Sequence, residues 1–166
     1  MQIPTRRADK LPRKKVDPYI TSDKKTELEA DLKYLKTVAM PREAKEVERL
    51  AQFGDFSENA AYQMAKGRLR GINARLFEIE SFLAHAIIIN KNTNTETVQV
   101  GHTVTLESGG KTLTFQILGA TETNPGSGVI SRHSPLGTKL LGQAIGDTIE
   151  LELKDKKISY KILKIE

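Results

Sequence analysis

Residues 59–84 read NAAYQMAKGRLRGINARLFEIESFLA, and this stretch decides the fold. Its recurring apolar positions are Tyr62, Ala65, Leu69, Ile72, Leu76, Ile79 and Leu83, stepping alternately by 3 and 4. Such a series of a and d positions is the seam of a coiled coil. A stripe that narrow needs a partner helix, and the residues upstream supply one. Leu28, Leu32, Leu35 and Ala39 step by 4, 3 and 4, and beyond Pro41 the pattern resumes at Ala44, Val47 and Ala51. Thr21 or Ser22 suits the start of this run. Pro41 lacks a backbone donor and its ring crowds the preceding turn, so a kink or local break is expected near Met40. The pattern stops around Phe53-Gly54-Asp55-Phe56. Gly54 suits the position after a helix, and Asp55 or Ser57 the start of the next. Two long helices joined by so short a link must lie antiparallel. The expected element is an antiparallel αα-hairpin coiled coil over residues 21–84, each arm ~40 Å long at the helical rise. Its acidic tip, residues 54–59, lies far from the rest of the chain.

After Ala84 the period changes to 2 and β-branched residues dominate. Residues 86–90 form a short apolar run. A strand through Thr103, Val104 and Thr105 ends at Ser108-Gly109-Gly110, a hairpin turn signal, and residues 111–118 are its partner. Gly126 and Gly128 break the chain before a short strand at 129–131. Ser134 then caps a short helix with Pro135 at its first position, Leu136, Leu140 and Leu141 on its buried face, and Gly142 closing it. Residues 148–153 and 158–165 alternate as strands around a turn at 155–157. The fold class is therefore α+β: a helical hairpin followed by a small, mostly antiparallel β domain with one short helix. Three parts follow: a basic tail over 1–20, the hairpin over 21–84 and the β-rich domain over 85–166.

The chain has 166 residues, 38% of them apolar, enough for one ordinary domain or two small ones. It has no Cys, which excludes disulfides, thiolate nucleophiles and Cys-based zinc sites. It has no Trp and 5% aromatic residues, a poor basis for a base-stacking module. No run is long enough to span a membrane and no apolar leader opens the chain, so a cytoplasmic location is expected. The net charge of +5 is uneven: residues 1–20 hold six Lys or Arg against two Asp, whereas residues 21–84 balance. The tail reads either as a solubilising segment or as an arm for nucleic acid or an acidic partner. From Asn59 to Phe77 the helix carries Lys66, Arg68, Arg70 and Arg75 and no acid. This stripe is either a solvated face or a contact for RNA or phosphate.

No P-loop, dinucleotide fingerprint or nucleophile elbow is present. His85, His102 and His133 are isolated from one another, without metal-ligand spacing. What remains is the tip, Gly54-Asp55-Phe56-Ser57-Glu58-Asn59. Asp55 and Glu58 admit two readings. One is a capping box, with Asp55 bonded to the helix start and Glu58 reaching back. The other is a pair of carboxylates on a rigid rod, delivered into a deep site on another molecule. Hard oxygen ligands suit Mg²⁺, and a partner would have to complete the coordination.

A helical hairpin bearing Gly54-Asp-Phe-Ser-Glu-Asn-Ala-Ala-Tyr62 at its tip resembles the bacterial Gre transcript-cleavage factors. Ile130-Ser-Arg-His-Ser-Pro135, Leu140-Leu-Gly142 and Gly146-Asp147 resemble the FKBP-like domain of the same family, and the likeness runs over about residues 20–166. The resemblance implies a factor that inserts its coiled coil into the secondary channel of bacterial RNA polymerase. There it stimulates the polymerase to cut backtracked nascent RNA. Asp55 and Glu58 would be the catalytic acids and would hold a Mg²⁺ shared with the polymerase, not bound tightly by the free protein. Gly54, Phe56, Asn59 and Tyr62 would support the tip. Lys66, Arg68 and Arg70 would contact the RNA 3′ end. Ser134 and Pro135 would dock at the channel rim. The factor itself is then not an enzyme, and it is expected to be a monomer when free, with no membrane partner.

Three features depart from the family pattern. The basic tail is long. Residues 57–63 and the basic run at 66–70 lean toward the GreB subtype. His133 stands where Asn or Asp is expected, which bears on the rim contact. The alternatives are a channel-binding inhibitor without cleavage activity, against which the retained acids argue, and a free-standing nuclease, for which two carboxylates are too few. A prolyl isomerase lacks its aromatic pocket here, since Phe115 and Tyr160 are the only aromatic residues of the second half.

Overall fold

A computed structural model describes residues 17–53, 59–90, 95–153 and 156–166. Thr21 opens the first arm: its side-chain oxygen accepts the Lys24 N–H at 3.2 Å, and helix α1 follows over Ser22–Tyr34. A π-helical turn, Leu35–Ala39, leads into α2, Met40–Ala51. Tyr34, Ala39 and Met40 all keep right-handed helical backbone angles, so Pro41 widens a turn rather than breaking the arm. The Met40 N–H bonds to the Leu35 carbonyl, five residues back. A wider turn ahead of the proline relieves the clash its ring would otherwise cause.

The wide turn also adds one residue to the repeat. An uninterrupted 4-3-4-3 pattern from Leu28 would place Arg42, Glu46 and Arg49 in the seam. The extra residue places Glu43, Val47 and Leu50 there instead: Glu43 and Leu50 are buried and Val47 half-buried. Ala44, expected inside, is exposed for this reason. Deleting Val38, an exposed residue of the wide turn, should therefore be tolerated. A regular helix would then carry Leu28, Leu32, Leu35, Met40, Glu43, Val47 and Leu50 on one stripe. Deleting the exposed Lys45 should instead rotate Val47 and Leu50 out by ~100°. Thermal unfolding followed by circular dichroism should show little change for the first deletion and a loss of about 5 °C or more for the second. Equal losses from the two deletions would contradict this account of the register.

The returning arm is α3, Ala60–Leu83, packed along α1, the π turn and α2. All seven seam positions read from the sequence are buried or half-buried, and of the other helix residues only Lys66 and Phe82 are shielded comparably.

Strand β1, Tyr19–Ile20, joins the hairpin to the second domain by pairing parallel with β2, Ile87–Ile88. Residues 17–20, read from sequence as part of the tail, thus belong to the fold: Ile20 is fully buried and Asp17 nearly so. The second domain holds β3, Thr103–Ser108; β4, Lys111–Leu118; β5, Val129–Ser131; helix α4, Pro135–Leu140; β6, Thr148–Leu153; and β7, Lys156–Ile165. The sheet order is β5-β4-β3-β7-β6, antiparallel except for the β4–β5 pair. Gly109 and Gly110 both take positive φ, the conformation a two-residue hairpin turn demands. Register pairs Leu153 with Lys156, so Lys156 and Lys157, expected in the turn, are strand residues. Val104, Leu106, Ile117, Leu140 and Ile162 form the centre of the core, with Leu136 and Leu141 of the α4 region packed against it. No helix among the described residues is long and apolar enough to cross a membrane.

Candidate functional site

The acids Asp55 and Glu58, with Gly54, Phe56 and Ser57, lie outside the described residues. The structure therefore speaks to how the two arms hold the ends of that segment. The second helix starts later than the sequence suggests. Its cap is Asn59, whose side-chain oxygen accepts the Tyr62 N–H at 3.0 Å, and not Asp55 or Ser57. The Asn59 side-chain NH₂ donates to the Leu50 carbonyl on the other arm at 3.1 Å. Asn is among the strongest N-cap residues, and here the same side chain also donates to a carbonyl at the end of α2, which the Phe53 N–H approaches at 3.4 Å. On the outgoing arm Phe53 is 70% exposed, with the Arg49 guanidinium 5.8 Å from its ring centroid.

The basic stripe on α3 divides into three situations. Lys66 lies 5.6 Å from the Tyr62 ring centroid, a cation–π contact. Arg68 reaches across the hairpin, its Nε donating to Glu43 Oε2 at 2.8 Å, while Arg42 approaches the other carboxylate oxygen at 3.3 Å. Arg70 is exposed and makes no ion pair among the described residues. The stripe, read from sequence as a solvated face or a contact for RNA or phosphate, thus includes a residue, Arg68, that also ties the two arms together. The reason is the shifted register, which places a carboxylate between the arms where an apolar residue was expected.

The Glu43 carboxyl is held below its ordinary value of 4.5, chiefly by the hydrogen bond from Arg68; burial opposes this, and the charges of Arg68 and Arg42 add to the lowering. A carboxyl depressed in the folded state stabilises the fold above its unfolded value and loses that contribution as pH falls through the folded value. Glu43→Gln should therefore unfold at a lower temperature than wild type at pH 7. The gap should close as pH drops below 4.5. A gap that stays constant down to pH ~3 would show that the charge of Glu43 is not the stabilising feature.

At the opposite end, Ser134 caps α4 by accepting the Gly137 N–H at 3.0 Å, with Pro135 next to it, as the sequence indicates. The loop before it is tied to the chain entering the hairpin. Asp17 takes the Ala120 N–H at 3.1 Å and pairs with Arg132 at 3.1 Å, with His133 Nε2 3.6 Å away. Arg132 in turn lies over the Tyr19 ring, 4.1 Å from its centroid. Glu122 accepts from both the backbone and the hydroxyl of Thr21, the residue that caps α1. Sequence reading missed Asp17, Glu43 and Glu122, because each acts through a partner remote in the chain.

Among the described residues no group of three or more His, Asp or Glu side chains could hold a metal. Asp55 and Glu58 supply oxygen donors of the kind Mg²⁺ prefers, but two carboxylates leave most of an octahedron to be filled. The described residues accordingly form two parts: a helical hairpin whose returning arm is ~36 Å long at the helical rise, and a small β domain.

Comparison with known proteins agrees. A family model for the N-terminal domain of transcription elongation factors matches residues 18–88, and one for the C-terminal domain of transcription elongation factors GreA/GreB matches residues 92–166. Transcription elongation factor GreA of Limosilactobacillus fermentum is 33% identical over 150 residues, covering 89% of this chain and 95% of its own. That of Mycoplasma capricolum subsp. capricolum is 38% identical over 151 residues, covering 87% and 96%. Among solved structures, GreA factor homolog 1 of Thermus thermophilus aligns over 90% of this chain and 99% of its own at 25% identity, with a TM-score of 0.42. The chain belongs to the GreA/GreB family of transcription elongation factors.

Proposed function

We propose that this factor acts on bacterial RNA polymerase, inserting its hairpin into the secondary channel and stimulating cleavage of backtracked nascent RNA. The observation that carries the reading is the tip. Asn59 caps α3, so that role does not fall to Asp55, and in the sequence both acids lie between two long helices. The chain is accessory and donates groups to an active site it does not contain.

In this reading each part has a separate task. Asp55 and Glu58 enter the polymerase's catalytic chamber and offer carboxylate oxygens beside those of the polymerase. Mg²⁺, when bound between the two proteins, would supply Lewis-acid stabilisation and a more acidic water. Arg70 and Lys66 line the arm with positive charge facing the extruded RNA 3′ segment. Arg68 serves the rod first, through Glu43. Ser134 and Pro135 dock at the rim, on a loop whose His133 and Arg132 are held by Asp17. The factor works as a cytoplasmic monomer.

The test is a stalled, backtracked polymerase carrying end-labelled RNA. Adding the protein with Mg²⁺ should release a short 3′ RNA segment and restore elongation. The length of that segment tells GreA-like from GreB-like behaviour, the latter being the lean of residues 57–70. Slowed elongation without RNA release would replace this reading with that of a channel-binding inhibitor. Cleavage of free RNA without polymerase would replace it with that of a nuclease.

A further inference from the structure

We propose that Asn59 is a positioning residue that ties together the two arm ends flanking Asp55 and Glu58 in the chain, and that its bond across the hairpin, not its helix cap, sets the cleavage rate. The inference rests on the function proposed above and adds a residue to it. The Asn59 side chain has two separable bonds. Its oxygen accepts the Tyr62 N–H within α3 at 3.0 Å, which is ordinary capping. Its NH₂ donates to the Leu50 carbonyl of α2 at 3.1 Å, which is not. This second bond closes the chain between Leu50 and Asn59, the interval that contains both Asp55 and Glu58.

Three further observations place this tie beyond the buried seam of the described residues. Leu50 is the last buried residue of α2. The Phe53 N–H bonds to the same Leu50 carbonyl only at 3.4 Å. On α3 the first fully buried residue is Ala65, beyond the cap. Among the described residues, full burial therefore ends at Leu50 on one arm and at Ala65 on the other, and Asn59 bridges the arms beyond both. A carboxylate must be placed to within a fraction of an ångström to serve a shared metal site, since small misplacements are costly in rate. A single amide bridging both helix ends provides such a constraint, and no other residue type provides both bonds at this length. Asp has the acceptor without the donor, and the single hydroxyl of Ser is too short to cap α3 and also donate to the other arm.

The experiment compares wild type with Asn59→Asp and Asn59→Ser. Both variants keep a good N-cap, and Ser adds no charge. Two readouts are taken. The first is the stimulated cleavage rate as a function of factor concentration. The second uses no polymerase: spin labels at Gln52 and Ala61, exposed sites on the two arms, report the spread of inter-arm distances at the tip. Both variants should unfold within ~2 °C of wild type, as caps of similar strength. Each should widen the distance distribution and lower the saturating cleavage rate about tenfold, with the half-saturating concentration unchanged. Wild-type distance distributions or wild-type maximal rates in both variants would overturn the proposal, as would losses that merely track unfolding temperature. If wild type itself stimulates no cleavage while both variants widen the distribution, the tie stands and the cleavage reading falls.

Discussion

Asp55→Ala abolishes stimulated cleavage of backtracked RNA, lowering the rate by about a hundredfold or more, as removal of one preorganised charge-stabilising group does. Binding to the polymerase changes little, because the hairpin seam and the Ser134-Pro135 loop are untouched. The measurement is RNA release at saturating factor, beside competition for the polymerase by unlabelled wild type. In the proposed mechanism the two carboxylates would contribute to one shared site, so removing either would leave a donor set that no longer holds the ion in place. Glu58→Ala should show the same loss. The double variant should be no worse than the more damaged single one, since groups that act as a unit are not additive. A wild-type rate in Asp55→Ala would end the mechanism. Multiplicative losses in the double variant would mean that the two acids act in separate steps.

Much of this architecture is legible in the residues themselves, and the reason is local. The α3 seam repeats with a fixed period. Ser108-Gly109-Gly110 demands backbone angles that glycine takes readily, and both glycines have them. Ser134 and Pro135 occupy the cap and first positions of α4 as their chemistry dictates. What could not be read depends on partners remote in the chain. Tyr19 and Ile20 make a strand only because Ile87 and Ile88 lie beside them, and a two-residue strand has no period to detect. Several residues between 55 and 59 could each cap a helix, and the choice of Asn59 is made together with the Leu50 carbonyl of the other arm. The π turn is a one-residue change in register. It is invisible in the apolar pattern because the residue it carries inward, Glu43, is charged and needs Arg68 to be there. Asp55 and Glu58 are legible as residues, and the role proposed for them requires a second molecule.

Gly119→Val separates the two domains without touching either core. The position follows β4, and its φ of −68° is open to any residue, so conformational freedom is not what glycine supplies. Space is the constraint: a Cβ at Gly119 would stand 1.8 Å from the Tyr19 carbonyl oxygen and 2.9 Å from its carbon. Backbone cannot yield as a flexible side chain does, so β1 must move. With it go the pairing to Ile87 and Ile88, the Asp17 bond to the Ala120 N–H and the Glu122 bonds to Thr21. Overpacking of this kind costs about 3 kcal/mol, which for a chain of this size lowers the unfolding temperature by about 6 °C or more. The hairpin and the sheet should each keep their secondary structure. Stimulated cleavage should fall about tenfold, because a rod no longer fixed to its docking domain does not present its tip at one angle. The loss should appear in the half-saturating concentration as well as in the maximal rate, unlike the loss expected at Asn59. Gly67→Ala is the control: a Cβ there meets nothing within 4 Å in the middle of α3, and the change should stabilise the helix by ~0.5–1 kcal/mol. A Gly119→Val protein that unfolds with wild type and cleaves at the wild-type rate would show that the junction does not aim the rod.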